Sequence, residues 1–439
     1  MKAIQVKRAL QSAINSVAQH PENYVMHPNT DFTRNRKFTF ESTLRCIIGL
    51  NSKSLSNELL DFFNGTRQVA TPSAFVQQRS KILPHAFEDI FSHFTDGLLA
   101  KSKADMPIFA VDGSSIQIPT NAEDDTSYFP GTKGQKPYNL LHLNAMYDLQ
   151  QHLYVDAIVQ GRREMNESGA CVEMVDRSII DKALLIADRG YEGYNLMAHC
   201  QEKGWYFLIR VKDGINGIKH GLSLPDEETF DVPITLYLTR KQTNEVKQLG
   251  KTNPCVKIIP STKSFDYLSK TNKAKEAAVF YPLHFRVVRF KLSEKCYETV
   301  VTNLEPTQYP SETLKDLYAM RWGIESSFRA LKYTLGLLQF HSKKVMCILQ
   351  EIYAHLTLYN FVEMITSHVA IKKRQRQYTY KANFSTAVHI CRLFYKGKIT
   401  SPKVEALIAD CLTPIRPGRS SPRNRSQLRS SYSFVYRIS

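Results

Sequence analysis

The chain has few cysteines and no arrangement of them that does chemistry. Its eight cysteines include no Cys-x-x-Cys pair and do not cluster with histidine, which excludes a zinc ribbon or a disulfide framework and points to reduced thiols in a cytosol. Long apolar runs are also missing. The most apolar stretch, Met346 to Ile365, is interrupted by Gln350, Glu351, His355, Asn360 and Glu363, and Met1 to Ala18 lacks the apolar centre of a signal peptide. No membrane span is expected, and 43% apolar with 23% charged residues describes a globular protein. Acidic residues run short at one end. Lys and Arg number 58 against 41 Asp and Glu, and from Ile371 onward fifteen Lys or Arg face only Glu405 and Asp410, a net +13 in the last 69 residues. A block of that sign suits a polyanion, nucleic acid first, and its interleaved aromatics (Tyr378, Tyr380, Phe394, Tyr395, Tyr432, Phe434, Tyr436) suggest ordering on a partner.

With 439 residues the chain divides into two or three domains. Residues 1–105 read as a helical DNA-binding region. Within it Thr71 suits an N-cap and Pro72 a first helical position, so Asn57 to Phe63 and the segment through Lys81 form a candidate helix-turn-helix carrying Gln77, Gln78, Arg79 and Lys81. Residues 106–212 alternate strand, hairpin, helix, strand, helix, strand, with the hairpin turning at Leu149 to His152. Residues 297–370 complete this α/β mixed-sheet domain. Residues 213–296, rich in Pro, Lys, Thr and Asn between short β pieces, read as an inserted β-rich domain, and 371–439 as a basic C-terminal region.

Two strands of the α/β domain end in acids. Ile108 to Val111 and Ala183 to Ala187 are apolar on both faces, as central strands are, and each runs into an aspartate, Asp112 and Asp188. Ligands commonly bind at the carboxyl ends of such strands. If the two strands are adjacent and parallel, about 5 Å apart, both carboxylates can share divalent cations. A third acid comes from Tyr318 to Lys332. There Tyr318, Arg321, Glu325 and Lys332 fall within roughly 60° of one another on an ideal helix, along about 21 Å of it. Leu317, Ile324, Phe328, Leu331 and Leu335 form the stripe that would bury the helix. A carboxylate flanked by two cations and a phenol suits a metal ion beside a phosphate backbone, and hard oxygen donors suit Mg²⁺ or Mn²⁺. Glu164 and Glu167 stand outside this triad, Glu167 being accounted for by the dipole of the helix it precedes. His142 and His199 read as core or surface histidines.

These residues resemble a known family. Asp112 in VDGS, Asp188 in ADRGY and Glu325 within Tyr-x2-Arg-x3-Glu-x6-Lys are similar to the DDE transposases of bacterial insertion sequences, specifically the insertion-sequence-four family with its YREK signature. Leu143 to Asp148 and Thr71 to Phe75 also match family segments, so the resemblance runs from about Ser56 to His355. It implies a ribonuclease-H-like catalytic domain, with the β-rich insertion accommodated in the 136 residues between Asp188 and Glu325. It implies two Mg²⁺ ions, with Mn²⁺ tolerated, held by Asp112, Asp188 and Glu325. It further implies cut-and-paste transposition through a hairpin intermediate, on terminal inverted repeats and target DNA, by a homodimer in the bacterial cytoplasm at the nucleoid. Arg321 and Lys332 would hold phosphates, Tyr318 would support them, and Trp322 would meet a flipped base. The competing readings are a catalytically idle DNA-binding regulator and a ribonuclease-H-like nuclease without transposition.

Overall fold

The computed structural model describes all residues except 35, 68, 101–104, 133, 135, 213, 215–216, 270–278, 295, 371–377, 416–432 and 435–439. Five helices come first: α1 (Ala3–Ala18), α2 (Phe40–Ile48), α3 (Leu55–Phe62), α4 (Pro72–Arg79) and α5 (His85–Leu99). Then come β1 (Ile108–Ile118), β2 (Tyr128–Phe129), β3 (Tyr138–Asp148), β4 (Leu153–Gly161), α6 (Glu167–Arg177), β5 (Leu184–Ala187), α7 (Tyr194–Lys203) and β6 (Tyr206–Arg210). The segment expected as an insertion supplies β7 (Phe230–Thr239), α8 (Asn244–Thr252), β8 (Val256–Ile258) and β9 (Tyr281–Ser293). Following it are β10 (Cys296–Thr302), α9 (Ser311–Ala319), α10 (Trp322–Arg329), α11 (Val345–Ser367), α12 (Phe384–Tyr395) and α13 (Ser401–Asp410).

The strands make one ten-stranded mixed sheet in the order β2-β3-β1-β5-β6-β10-β9-β7-β8, with β4 also paired to β3. β3 lies antiparallel to β1 and to β4, while β5 lies parallel to both β1 and β6. This run of antiparallel strands followed by two parallel ones is the ribonuclease-H-like arrangement. The β3–β4 turn falls where the sequence put it, with His152 at φ 60°. The insertion does not close a sheet of its own. β9 pairs with β10 and β7 with β9, so the segment prolongs the central sheet, because β10 at its edge would otherwise leave a row of backbone groups unpaired.

Both faces of the sheet are covered, and the alternation of side chains sorts them. Ile108, Ala110, Leu184 and Ile186 join a core that also contains α1, α5, α10, α11, α12 and α13. Phe109, Val111, Leu185 and Ala187 join a second core under α6 and α7. The N-terminal helices therefore share a core with the central sheet. Their junction is α11, which is buried nearly all round and runs against α5, α2 and α12. Phe394, Cys391, Val388 and Ile408 of the basic C-terminal region belong to this core too, and the Tyr395 hydroxyl donates to the Arg45 carbonyl at 3.0 Å. These aromatics pack inside instead of waiting for a partner. Tyr432 and Tyr436 lie outside the described residues.

The candidate helix-turn-helix forms as two helices, and Thr71 caps α4 by accepting from the Ala74 N–H at 3.2 Å. Its reading face differs from the expectation. Gln78 and Arg79 are buried, and Arg79 reaches Glu351 at 2.8 Å and Gln350 at 2.9 Å on α11. His341 Nδ1 closes the other side of Glu351 at 3.2 Å. Burial alone would raise the Glu351 carboxyl, but Arg79 and His341 hold it down to about 2.

Candidate active site

β1 continues through Asp112 to Ile118, so this acid sits within a strand and not at its end; β5 stops at Ala187, one residue before Asp188. Val111 is the register partner of Ala187 on parallel, adjacent strands, so the two aspartates follow at the same level of the sheet. The strand alternation that buries Ala110 under α10 also turns Asp112 toward α10. Local turns fix both carboxylates: Asp112 Oδ1 accepts from the Gly113 N–H at 2.8 Å and Asp188 Oδ1 from the Gly190 N–H at 2.7 Å.

The signature segment is not one continuous helix. α9 ends at Ala319, and the chain tightens through i→i−3 bonds (Arg321 N–H to Tyr318 O at 3.1 Å, Gly323 N–H to Met320 O at 2.9 Å) before α10 begins. After Arg329 it widens into a π-helical turn over Ala330–Thr334, closed by Leu335 N–H to Ala330 O at 3.0 Å. Gly323 lies at the break because a Cβ there would stand 2.9 Å from Leu149 Cδ2; a glycine lets α10 approach the sheet. Ile324, Phe328, Leu331 and Leu335 are buried as the apolar stripe required, at roughly 1.5–3 kcal/mol per large side chain.

The break redistributes the four signature residues. Arg321, only 8% exposed, places its guanidinium between two of the acids, with Nη2 2.9 Å from Glu325 Oε1 and Nη1 3.8 Å from Asp112 Oδ2. Its guanidinium also lies 5.2 Å from the Trp322 ring centre and 5.9 Å from that of Tyr318. Tyr318 is buried beneath Arg321, and burial pushes its hydroxyl up to about 12. Trp322 is 54% exposed. Lys332 Nζ donates to the Ser115 carbonyl at 2.8 Å, tying the π turn to β1 three residues past Asp112, and partial burial lowers its pKa.

Burial pushes the Asp112 carboxyl up to about 6. The Gly113 N–H and Arg321 pull it down, and the charges of Asp188 and Glu325 push it up again. The charges of Asp188 and Glu325 thus both reach Asp112. Among the described residues no three His, Cys, Asp or Glu side chains are drawn together tightly enough to hold a metal. Arg321 supplies the positive charge between Asp112 and Glu325. The donor chemistry nonetheless fits a hard divalent cation: carboxylate oxygens only, in a region whose buried acid resists ionising without added positive charge.

Several neighbours had no sequence signal of their own. Glu298 on β10 is 7% exposed and pairs with Arg210 at the end of β6, Oε1 to Nε 2.5 Å. His142 and Glu167, set aside in the sequence, meet at 2.9 Å over Gly113. His199, the other histidine set aside, bridges Asp176 and Asp266 away from the acids.

The sheet, with antiparallel strands followed by two parallel ones, has the order of a ribonuclease-H-like fold. The sequence profile described as the transposase DDE domain matches residues 103–361, well over half of the chain, and the protein belongs to that family. It is a transposase, acting on DNA, in a family that works with divalent metal ions. It is 22% identical over 343 residues to the transposase InsG for insertion sequence element IS4 of Escherichia coli (strain K12), covering 75% of this chain and 70% of that one. A solved piggyBac transposase synaptic complex with hairpin DNA is similar over 95% of this chain and 87% of that chain, with 10% identity and a TM-score of 0.48. No helix among the described residues is long and apolar enough to cross a membrane.

Proposed function

We propose that Asp112, Asp188 and Glu325 are the catalytic carboxylates and that together they hold two Mg²⁺ ions, with Mn²⁺ able to replace them. The observation that carries this reading is the pairing of Val111 with Ala187, which sets two aspartates side by side, while Arg321 joins Asp112 to Glu325. Bound cations supply Lewis-acid polarisation of the scissile phosphate and activation of water or of a 3′-hydroxyl. Asp112 and Asp188 would hold the cations from the sheet, and Glu325 would hold them from α10. Arg321, beside the carboxylates, and Lys332, beside β1, would take backbone phosphates next to the scissile bond. Tyr318 lies under Arg321 and supports it from within the core. Trp322, the exposed aromatic of this segment, offers a stacking surface for a base.

The reaction is read as nicking at the element's terminal inverted repeats, attack of the freed 3′-hydroxyl on the opposite strand to form a hairpin, hairpin opening, and transfer into target DNA. A homodimer would bring the two ends together. The hairpin and the dimer rest on the family resemblance alone. Replacing Asp112, Asp188 or Glu325 by alanine is expected to abolish strand cleavage and leave binding to end DNA intact. Retained cleavage in any of the three would remove that residue from the site.

A further inference from the structure

Three cations meet in a cavity whose lining includes none of the candidate active-site residues. It measures about 150 Å³, about ten times the space that one water needs. Lys7 and Gln11 line it from α1, Arg45 from α2, Glu58 from α3, and Tyr395 with Lys396 from the end of α12. The last turn of α12 gathers them. The Phe394 carbonyl accepts from Lys7 Nζ at 2.6 Å, the Tyr395 hydroxyl donates to the Arg45 carbonyl at 3.0 Å, and Lys396 Nζ lies 3.3 Å from Glu58 Oε2.

The charges around this cavity do not balance. Glu58, 1% exposed, is the one acid in the lining, and besides Lys396 it already accepts from the Asn51 and Lys53 N–H groups at 3.0 and 3.2 Å. Arg45 pairs with Glu41 at 2.7 Å, but that acid is half-exposed outside the cavity, and such helix-surface pairs are weak. Lys7 has no carboxylate within ion-pair distance among the described residues. The Phe394 carbonyl takes one of its three protons and leaves two. Burial and the charge of Arg45 both lower the Lys7 pKa. A half-buried ammonium beside a half-buried guanidinium favours an anion between them, and an arginine fork with two lysines is a donor set that suits phosphate oxygens.

We propose that this cavity is a phosphate-binding site, in which Lys7, Arg45 and Lys396 hold one phosphate group and so clamp α1 and α2 to the end of α12. The group belongs to a DNA backbone or to a free phosphate, with the same chemistry in both. The inference does not depend on the reading of the three carboxylates.

The test titrates inorganic phosphate into the full-length protein and follows the melting temperature, against sodium chloride at matched ionic strength. The parent's melting temperature should rise with phosphate and level off. Lys7→Met and Arg45→Met lose different structural contacts, the Phe394 bond in one and the Glu41 and Asn15 bonds in the other. Both should nevertheless move the phosphate midpoint to about 10-fold higher concentration or more, each read against its own phosphate-free melting temperature. Gel shifts on duplex DNA at several salt concentrations distinguish the two sources. A backbone phosphate in the site predicts a salt slope lower by about one unit in each variant, whereas a free phosphate predicts the parental slope with the thermal response weakened. If the two substitutions change neither the phosphate response nor the salt slope, the inference falls.

Discussion

Arg321 and Glu325 are joined at 2.9 Å, one helical turn apart, and the same guanidinium reaches Asp112 at 3.8 Å. A cation of the protein thus stands among the acids proposed to bind metal. Arg321→Met should therefore lower the Mn²⁺ concentration needed for half-maximal thermal shift in the DNA-free protein, while cleavage falls. Arginine serving DNA alone would leave the metal midpoint unchanged.

Gly113→Ala tests how closely β1 is packed on the side of His142 and Glu167. The new methyl would meet His142 and Glu167 well inside van der Waals contact, and overpacking of this kind costs about 1–3 kcal/mol. Urea unfolding should show that loss, with cleavage reduced more than end binding. An unchanged unfolding midpoint would mean that the pair swings aside freely.

Arg79 lies on the helix that the sequence offered as a groove reader, yet it is 1% exposed and bonded to Glu351. Arg79→Met leaves a buried carboxylate with His341 alone and should cost about 3–5 kcal/mol in denaturant unfolding. Full stability with weaker DNA binding would restore the groove-reading role.

Glu363 on α11 is pushed up by burial to about 7, with the Tyr359 hydroxyl donating to it at 3.3 Å and Lys381 opposing the rise. Unfolded, it loses its proton near 4.5. Between these values the native state holds a proton that the unfolded state has lost, so this group's contribution is complete below 4.5 and fades as pH rises through about 7. Glu363→Gln should flatten that part of the stability profile, measured as unfolding free energy from pH 4.5 to 8. An unaltered slope would place the proton elsewhere.

Lys332 bonds the Ser115 carbonyl and is only partly buried, so it can serve both fold and DNA. Lys332→Ala should reduce the salt slope of end binding by about one unit. Gel-shift titrations at several salt concentrations measure it, and an unchanged slope would leave Lys332 with the strap alone.

The primary structure by itself determined the central strands, the β3–β4 hairpin and the apolar stripe from Ile324 to Leu335, because alternation and helical spacing are local properties of the chain. It also picked out the acids of the motifs, and through them the family, although Asp112 lies within β1 and not after it. Only the tertiary structure decided that the inserted strands extend the central sheet, that α4 turns Arg79 inward and that Gly323 lets α10 press against Leu149. Each of those outcomes depends on a partner far away in sequence: β10 for β9, Glu351 for Arg79, Leu149 for Gly323. Burial of Tyr318 and the seat of Arg321 between two carboxylates belong to the same class. A side chain's charge and shape are written in its own residue, but its desolvation is set by whatever folds against it.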